Sequence, residues 1–363
     1  MCSNSVEEET LRSMARVPFS SLLTLLTILA CTHPTASSQS DGLPRTCDVD
    51  AEICGLDNSA PIVATRDGQI IEGLRIEAVD EPGILVRNLS NVVIRNVEIF
   101  HEGAHGISCD QAPGLVIENV SIIHSGARTI SINETNISCS RADGLRITNA
   151  RLRGGSAGVH VLNSTHAHLS YIEGYNFRGP DPRGQLVQFD KSPNCTLEDF
   201  SGINDPDVTW SADNVSIYYS DHCVVRRGFL DGNNGPWSVG VMFENSRNGL
   251  VEDVDTVAQG NGSFSAYPGH DITFRRTRAR DNICDDQGRG RPKSNSLIWA
   301  GSPDSTGLRL EASKFFNPCR PGHLVWDRKR FDIVQITSEN FKPRPAIKLS
   351  FDWEGDGPPQ FDP

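Results

Sequence analysis

From about Gln69 onward the chain returns again and again to one phrase, a short run of alternating apolar and polar residues opened or closed by Asn, Asp or Gly. It reads Asn91-VVIRNVEIF, Gly114-LVIENVSII, Gly144-LRITNARL, Cys195-TLEDFSGI, Cys223-VVRRGFL, Gly249-LVEDVDTV and Asp271-ITFRRTRA, with starts mostly 22 to 30 residues apart. A second strand series is interleaved with it: Gly106-ISCD, Thr129-ISIN, Gly158-VHVLN, Leu186-VQFDK, Val215-SIYYS, Gly240-VMFEN and Ser296-LIWAG. The alternation has period two throughout, and no stretch of 12 residues carries a helical period. Self-similarity at this spacing marks a solenoid. Leucine-rich repeats share the period, but their fixed Leu/Asn spacing is missing. One geometry satisfies the pattern: coils of two or three short strands, with equivalent strands of successive coils paired in parallel about 4.8 Å apart. Inward Val, Ile, Leu and Phe then stack into one core, and each coil is stable only against its neighbours.

The reading is therefore all-β, a single-stranded parallel β-helix of about nine to ten coils over residues 69–340, with 41–68 as an amino-terminal cap and 341–363 as a carboxy-terminal tail. Two details support it. Cys195 and Cys223 hold the same place in consecutive coils, which predicts a disulfide or a stack of inward thiols. Asn88, Asn96, Asn119, Asn149, Asn163 and Asn194 stand at turn positions, where Asn tolerates left-handed backbone and can bond along the stack.

Composition narrows the function classes. The net charge of −12 argues against binding nucleic acid, which requires a positive surface to displace counterions. No run of 18 apolar residues is present, so a spanning helix is not expected. Residues 1–40 have the layout of an export segment: Arg12 and Arg16, then the apolar stretch Val17 to Cys31, then small polar residues. Met14 is the better initiator of such a segment, and Ile28-Leu29-Ala30-Cys31 approximates a lipoprotein cleavage box. A secreted, periplasmic or outer-surface protein is expected, touching a membrane only through an amino-terminal lipid anchor. Of ten Cys, eight lie beyond that segment and none forms paired CxxC ligands, which fits disulfides in an oxidising compartment. Cys47 with Cys54 is the most local candidate pair.

Asn176-FRGPDPRGQLVQFDK, Ser211-ADNVSIYYS, Gly240-VMFEN and Gly269-HDITF resemble a bacterial family of secreted right-handed parallel β-helix repeat proteins within the pectate-lyase-like superfamily. The resemblance covers about residues 60–340 and is strongest over 170–275. It implies a right-handed coil and carbohydrate activity. It identifies no reaction, because the superfamily holds lyases, hydrolases, epimerases, tailspikes and adhesins.

Aligning the second series by the pairs Ile107/Cys109, Ile130/Ile132, Val159/Val161, Val187/Phe189, Ile217/Tyr219 and Val241/Phe243 predicts two outward columns. One is Ser108, Ser131, His160, Gln188, Tyr218 and Met242. The other, at the strand ends, is Asp110, Asn133, Leu162, Asp190, Ser220 and Glu244. Asp190 and Glu244, two coils apart, suit an acid–base pair for glycoside hydrolysis. Lys191 and Arg183 suit β-elimination, in which cations neutralise a uronate carboxylate while a base removes the α-proton. The expected catalytic set is Asp190, Lys191, Glu244, His270 and Tyr218; the expected substrate-binding set is Arg183, Gln188, His160, Asp213 and Trp237. Trp210 and Trp237 are loop indoles suited to stacking on a sugar face. His166, His222 and His270 are placed at equivalent turns, with the resemblance favouring His270 as functional. Asp205, Asp207 and Asp213 make Ca2+ a candidate cofactor, although their spacing matches no EF-hand or calcium nonapeptide. Asp205-Pro-Asp207 is close to the Asp-Pro-His-Asp signature of alginate epimerases but lacks its His. Arg275, Arg276, Arg278 and Arg280 form either an attractant for acidic glycan or a strand's wet face. The predicted function is cleavage of an acidic, uronate-containing polysaccharide by a monomer, through elimination or hydrolysis. The alternative is a non-catalytic glycan-binding β-helix.

Overall fold

The computed structural model describes residues 53, 55–126, 130–205, 209, 212–233, 235, 238–280, 296–318, 322–349 and 351. The export segment, Cys47, Cys54, Asp207, Trp210 and Trp237 lie outside these. Among the described residues the regular structure is strand apart from one 3-10 turn at Arg328–Arg330, with every strand pairing parallel, in a 15-stranded and an 11-stranded sheet plus one two-stranded ribbon. In the larger sheet, sequence-order neighbours along the coil path stack rung on rung. The smaller sheet runs from Ile62–Val63 through Ile107–Asp110, Val159–Leu162 and Val187–Asp190 to Val325–Trp326.

Each coil bends where one residue takes left-handed backbone. One such column ends seven successive short strands, from Ile84–Arg87 to Val239–Glu244: Asn88, Gln111, Arg141, Asn163, Lys191, Tyr219 and Asn245 all have φ between 47° and 56°. A second opens the long strands at Asn91, Gly114, Gly144, His166, Asn194, His222, Asn248 and Asp271. A third, at Asn96, Asn119, Asn149, Tyr171, Asp199, Arg227, Asp253 and Arg276, folds each long strand into two faces. All six Asn predicted at turns are left-handed. Part of the expected Asn ladder is present: Asn119 Nδ2 donates to Asn96 Oδ1 at 2.5 Å, and Asn149 Nδ2 donates to Asn119 Oδ1 at 2.7 Å.

The core follows from register. On the short-strand sheet the column Ile84, Ile107, Ile137, Val159, Val187, Val215, Val241 and Phe264 points inward, beside Val86, Cys109, Cys139, Val161, Phe189, Ile217 and Phe243. Two adjacent-coil pairs in the core are disulfides, the expected Cys195–Cys223 and also Cys109–Cys139. Where a large ring occupies one rung, the next can lack a side chain. Gly228 sits in register with Phe200, and a Cβ there would lie 2.0 Å from the ring. Inside the turn, Ser164, Ser192, Ser220 and Ser246 form a ladder in which each hydroxyl accepts the backbone N–H of the equivalent residue one coil earlier, at 2.8 to 3.1 Å. This satisfies donors that burial would otherwise leave unpaired.

Four expectations need correction. Pairing already begins at Asp57–Ser59 and Ile62–Val63, so the solenoid starts inside the expected cap. The rung after Ile107–Asp110 is Ile137–Ser140, not Ile130/Ile132, which belong to the preceding loop. Tyr219 does not point inward: the left-handed turn falls on it, so Ile217 is the last inward residue of its strand and Tyr219 is exposed. Ser220 therefore belongs to the buried serine ladder rather than to the outward strand-end column.

The outer face of the long-strand sheet is closed by ion pairs. Arg275 bonds Glu311 and Glu252, Arg276 bonds Asp253, and Arg278 bonds the buried Asp255. These arginines form the strand's wet face, with their charge already matched. The tail crosses this face: the Arg344 N–H donates to Asp255 at 2.7 Å, the Leu349 N–H donates to the buried Glu173, and Arg151 donates to the Leu349 carbonyl at 2.6 Å.

Candidate functional site

With the register settled, the outward middle column of the short-strand sheet is Ser108, Ser138, His160, Gln188, Ser216, Met242, Ser265, Trp299 and Trp326. The strand-end column is Asp110, Ser140, Leu162, Asp190, Tyr218 and Glu244. Tyr218 thus moves from the middle to the end column, and Asp190, Tyr218 and Glu244 stand on three consecutive rungs. At one rung spacing per step, the strand ends carrying the two acids are about 9.6 Å apart.

Both acids are perturbed in the same direction. Desolvation raises Asp190 above the ordinary carboxylate range, against the opposing charges of Lys191 and Arg183. Desolvation also raises Glu244. Tyr218 between them is raised by desolvation and by the negative charges around it, and its ring stands edge-on to Tyr219 at 4.6 Å. Lys191 occupies the left-handed turn next to Asp190, which leaves it exposed at the rim.

The loop over residues 176–186 supplies Arg183. It is held by the Arg183 N–H donating to the Pro180 carbonyl at 2.8 Å and by the Ala212 N–H donating to the Arg183 carbonyl at 3.1 Å. The guanidinium donates through Nη1 to Gln188 Oε1 at 2.8 Å, and desolvation lowers its pKa. His160 is buried beside it; desolvation, then the charges of Arg183 and His105, push its pKa down to about 3, so it is neutral. His105 is held down to about 4 by burial and accepts the Thr135 N–H at 3.2 Å. Among the described residues, four buried atoms around this corner have no hydrogen-bond partner: His160 Nε2, Arg183 Nε, Gln185 Oε1 and Asp190 Oδ1. Each such atom costs free energy.

Asp213 braces the other flank. Its oxygens accept the Ser216 hydroxyl at 2.8 Å and the Val239 N–H at 3.0 Å. Burial raises its pKa to about 7, with Glu244 and Asp181 adding negative charge. Asp213 therefore positions its neighbours rather than facing a ligand freely. Among the described residues no group of three His, Cys, Asp or Glu side chains is arranged to hold a metal.

The structure thus brings together Asp190, Tyr218, Glu244, Gln188, Arg183, His160 and Asp213, with Lys191 at the edge. It places His270 elsewhere. His270 pairs with Arg247 in the turn ribbon, one position before the column that holds His166 and His222, and bonds Thr306 at 2.9 Å. The expected equivalence of the three histidines holds for His166 and His222 alone. Sequence reasoning missed His105, whose only signal is the polar run ahead of Gly106, and Ser216, which the shifted strand concealed.

Residues 51–170 match the family described as right handed beta helix region. No curated protein matches the sequence. Among solved structures, the mannuronan C-5 epimerase A-module from Azotobacter vinelandii is similar with a TM-score of 0.55 and 10% identity, over 79% of this chain and 92% of that one. A DFA-IIIase from Arthrobacter chlorophenolicus A6 in complex with DFA-III is similar with a TM-score of 0.51 and 12% identity, over 75% and 78% of the two chains. Tailspike protein 2 from Escherichia coli O157:H7 bacteriophage CAB120 gives 0.46 and 13%, over 70% of this chain but only 38% of that longer one.

The solenoid is a right-handed β-helix. At these identities the likeness is one of fold, and the family match ends at residue 170, short of Asp190. What this β-helix does is carried by its own side chains. A flat polar face with two protonatable acids two rungs apart, a guanidinium and an ammonium beside one of them, and a phenol between them can grip a polymer across coils. It can also exchange protons on both sides of one linkage.

Proposed function

We propose that the protein is a polysaccharide-cleaving enzyme that hydrolyses a glycosidic bond with Asp190 and Glu244 as its acid–base pair. The observation that carries this reading is the placement of two carboxyls, both raised by desolvation, on rungs about 9.6 Å apart at the strand ends. Side chains that lean together would bring the carboxyls into the ~6.5–9.5 Å range that leaves room for a water in inverting hydrolysis. The roles follow from the neighbours. Lys191 and Arg183 favour the ionised form of Asp190, making it the base. Desolvation raises Glu244 with no cation of the described residues opposing it, so it keeps its proton more readily and is the acid. Glu244 gives that proton to the leaving oxygen as the glycosidic C–O bond breaks. Asp190 takes a proton from the water whose oxygen forms the new bond to the anomeric carbon.

The substrate is an acidic polysaccharide, because the two cations at Asp190 are the groups that a uronate carboxylate would meet there. The same cations favour β-elimination as a second reading. The epimerase and the DFA-IIIase among the similar structures support a carbohydrate as the class of substrate without specifying it. The export-segment layout expected from residues 1–40 and the two disulfides support export to an oxidising compartment.

Digestion of polygalacturonate, alginate, glucuronan, glycosaminoglycans and neutral glycans, with and without added Ca2+, tests the reading. New reducing ends without the ultraviolet absorbance of an unsaturated uronate are expected on an acidic glycan. Asp190→Asn and Glu244→Gln should each lose on the order of 10²–10⁴ in rate. A rise in that absorbance would replace hydrolysis by elimination, and binding without cleavage of any glycan would make the protein a lectin-like β-helix.

A further inference from the structure

Both outward columns continue beyond the acid pair, and there they change character. One rung past Glu244 the strand-end column holds Tyr267, and the next rung holds Gly301. In the middle column Met242 is followed by Ser265, Trp299 and Trp326. Tyr267 is 46% exposed and Trp326 57%. Together with Tyr219, which is 50% exposed beside the acids, these are the exposed large aromatic side chains among the described residues, and all lie along this one face. The long-strand sheet, by contrast, answers its surface with ion pairs.

Gly301 shapes this end of the face. A Cβ at that position would lie 2.3 Å from the ring of Tyr267 and 2.3 Å from that of Trp299. The missing side chain lets the two rings come in over the rung, with Trp326 one rung beyond Trp299. Exposed aromatics in solenoid register, following a strand-end column of polar side chains, suit a ligand with apolar faces and polar edges repeated along its length. A sugar ring has that shape, presenting C–H groups on its faces and hydroxyls on its rim.

We infer that the glycan chain runs past Glu244 toward the carboxy-terminal coils, over stacking subsites formed by Tyr267, Trp299 and Trp326. The inference rests on the proposed function for the class of ligand and adds the direction and extent of binding. Five rung steps separate Gln188, beside Asp190, from Trp326, so the track is about 24 Å long. Oligosaccharides that span it engage the aromatic rungs, and shorter ones held at the acid pair do not.

The experiment measures affinity of the full chain for length series of oligogalacturonates and of alginate oligosaccharides, by calorimetry and by tryptophan fluorescence. Trp326→Ala and Tyr267→Ala change exposed side chains, and melting curves check that both variants remain folded. Each should weaken binding of oligomers long enough to cover the track by about tenfold and leave the shortest bound oligomers unaffected, with Trp326→Phe recovering part of the loss. Binding that quenches tryptophan fluorescence in the parent should quench less in Trp326→Ala. Equal affinities in parent and variants at every length would overturn the track while leaving the acid-pair site standing. A parent that binds no glycan at all would overturn the proposed function and this inference with it. Self-association of the parent that Trp326→Ala abolishes would make the patch an interface between copies and overturn the inference alone.

Discussion

Asp213 carries a testable electrostatic penalty. Its pKa rises from 3.8 to about 7 because its carboxyl is desolvated near Glu244 and Asp181, and the hydrogen bonds from Val239 and Ser216 only partly offset this. Between those two pH values the folded state holds a proton that the unfolded chain has released, so stability falls as pH rises from about 4 to 7. At ~1.4 kcal/mol per pH unit, the loss is about 4 kcal/mol at and above pH 7, and it vanishes below about pH 4. Asp213→Asn removes the titration with little change in shape. The amide oxygen still accepts the Val239 N–H, and the amide nitrogen can donate to the Ser216 oxygen. The variant should match the parent near pH 4 and melt higher at pH 8, by on the order of 10 °C. Thermal unfolding of both proteins from pH 4 to 8 isolates this residue, because every other titrating group is common to the two. A melting difference that is nil, or the same at both ends of the range, would refute the reasoning.

Buried neutral histidines give the opposite slope. His101 and His105 are held to about 4 and His160 to about 3, chiefly by desolvation, so each contributes stability above about pH 6.5 that is lost as pH falls toward 4, on the order of 3 kcal/mol apiece. Denaturant midpoints should fall over that range, and His105→Gln should flatten the slope by about one proton; a midpoint independent of pH would contradict this. In the core, Gly228→Ala puts a Cβ 2.0 Å from the Phe200 ring and should cost about 1–3 kcal/mol or more. Phe200→Leu in the same chain should return part of it, and a single variant as stable as the parent would show that the rung can relax.

Much of the fold was legible in the sequence because a solenoid repeats its local rule. Alternation placed Ile107, Val159, Val187 and Val241 inward, Asn tolerance of left-handed backbone marked six turns, and equal spacing matched Cys195 with Cys223. The failures cluster where local pattern and coil register part. Ile130 and Ile132 alternate as a strand does, yet the loop after His124 delays the rung to Ile137, where Cys139 meets Cys109. Tyr219 continues an alternating run, but the neighbouring short strands, from Ile84–Arg87 to Val239–Glu244, all end in a left-handed turn at that place, and stacking overrides alternation.

Side-chain chemistry divides in the same way. The sequence by itself determined that Asp190 and Glu244 share a column, because residues that recur at coil spacing must stack. Only the tertiary structure decided that Tyr218 stands between them, that Arg183 folds back onto Gln188, that His105 joins His160, and that Tyr267 and Trp299 meet over Gly301. Those arrangements depend on loop paths and on one-residue shifts in register, which move a side chain from one face to the other without altering the hydrophobic period that a sequence displays.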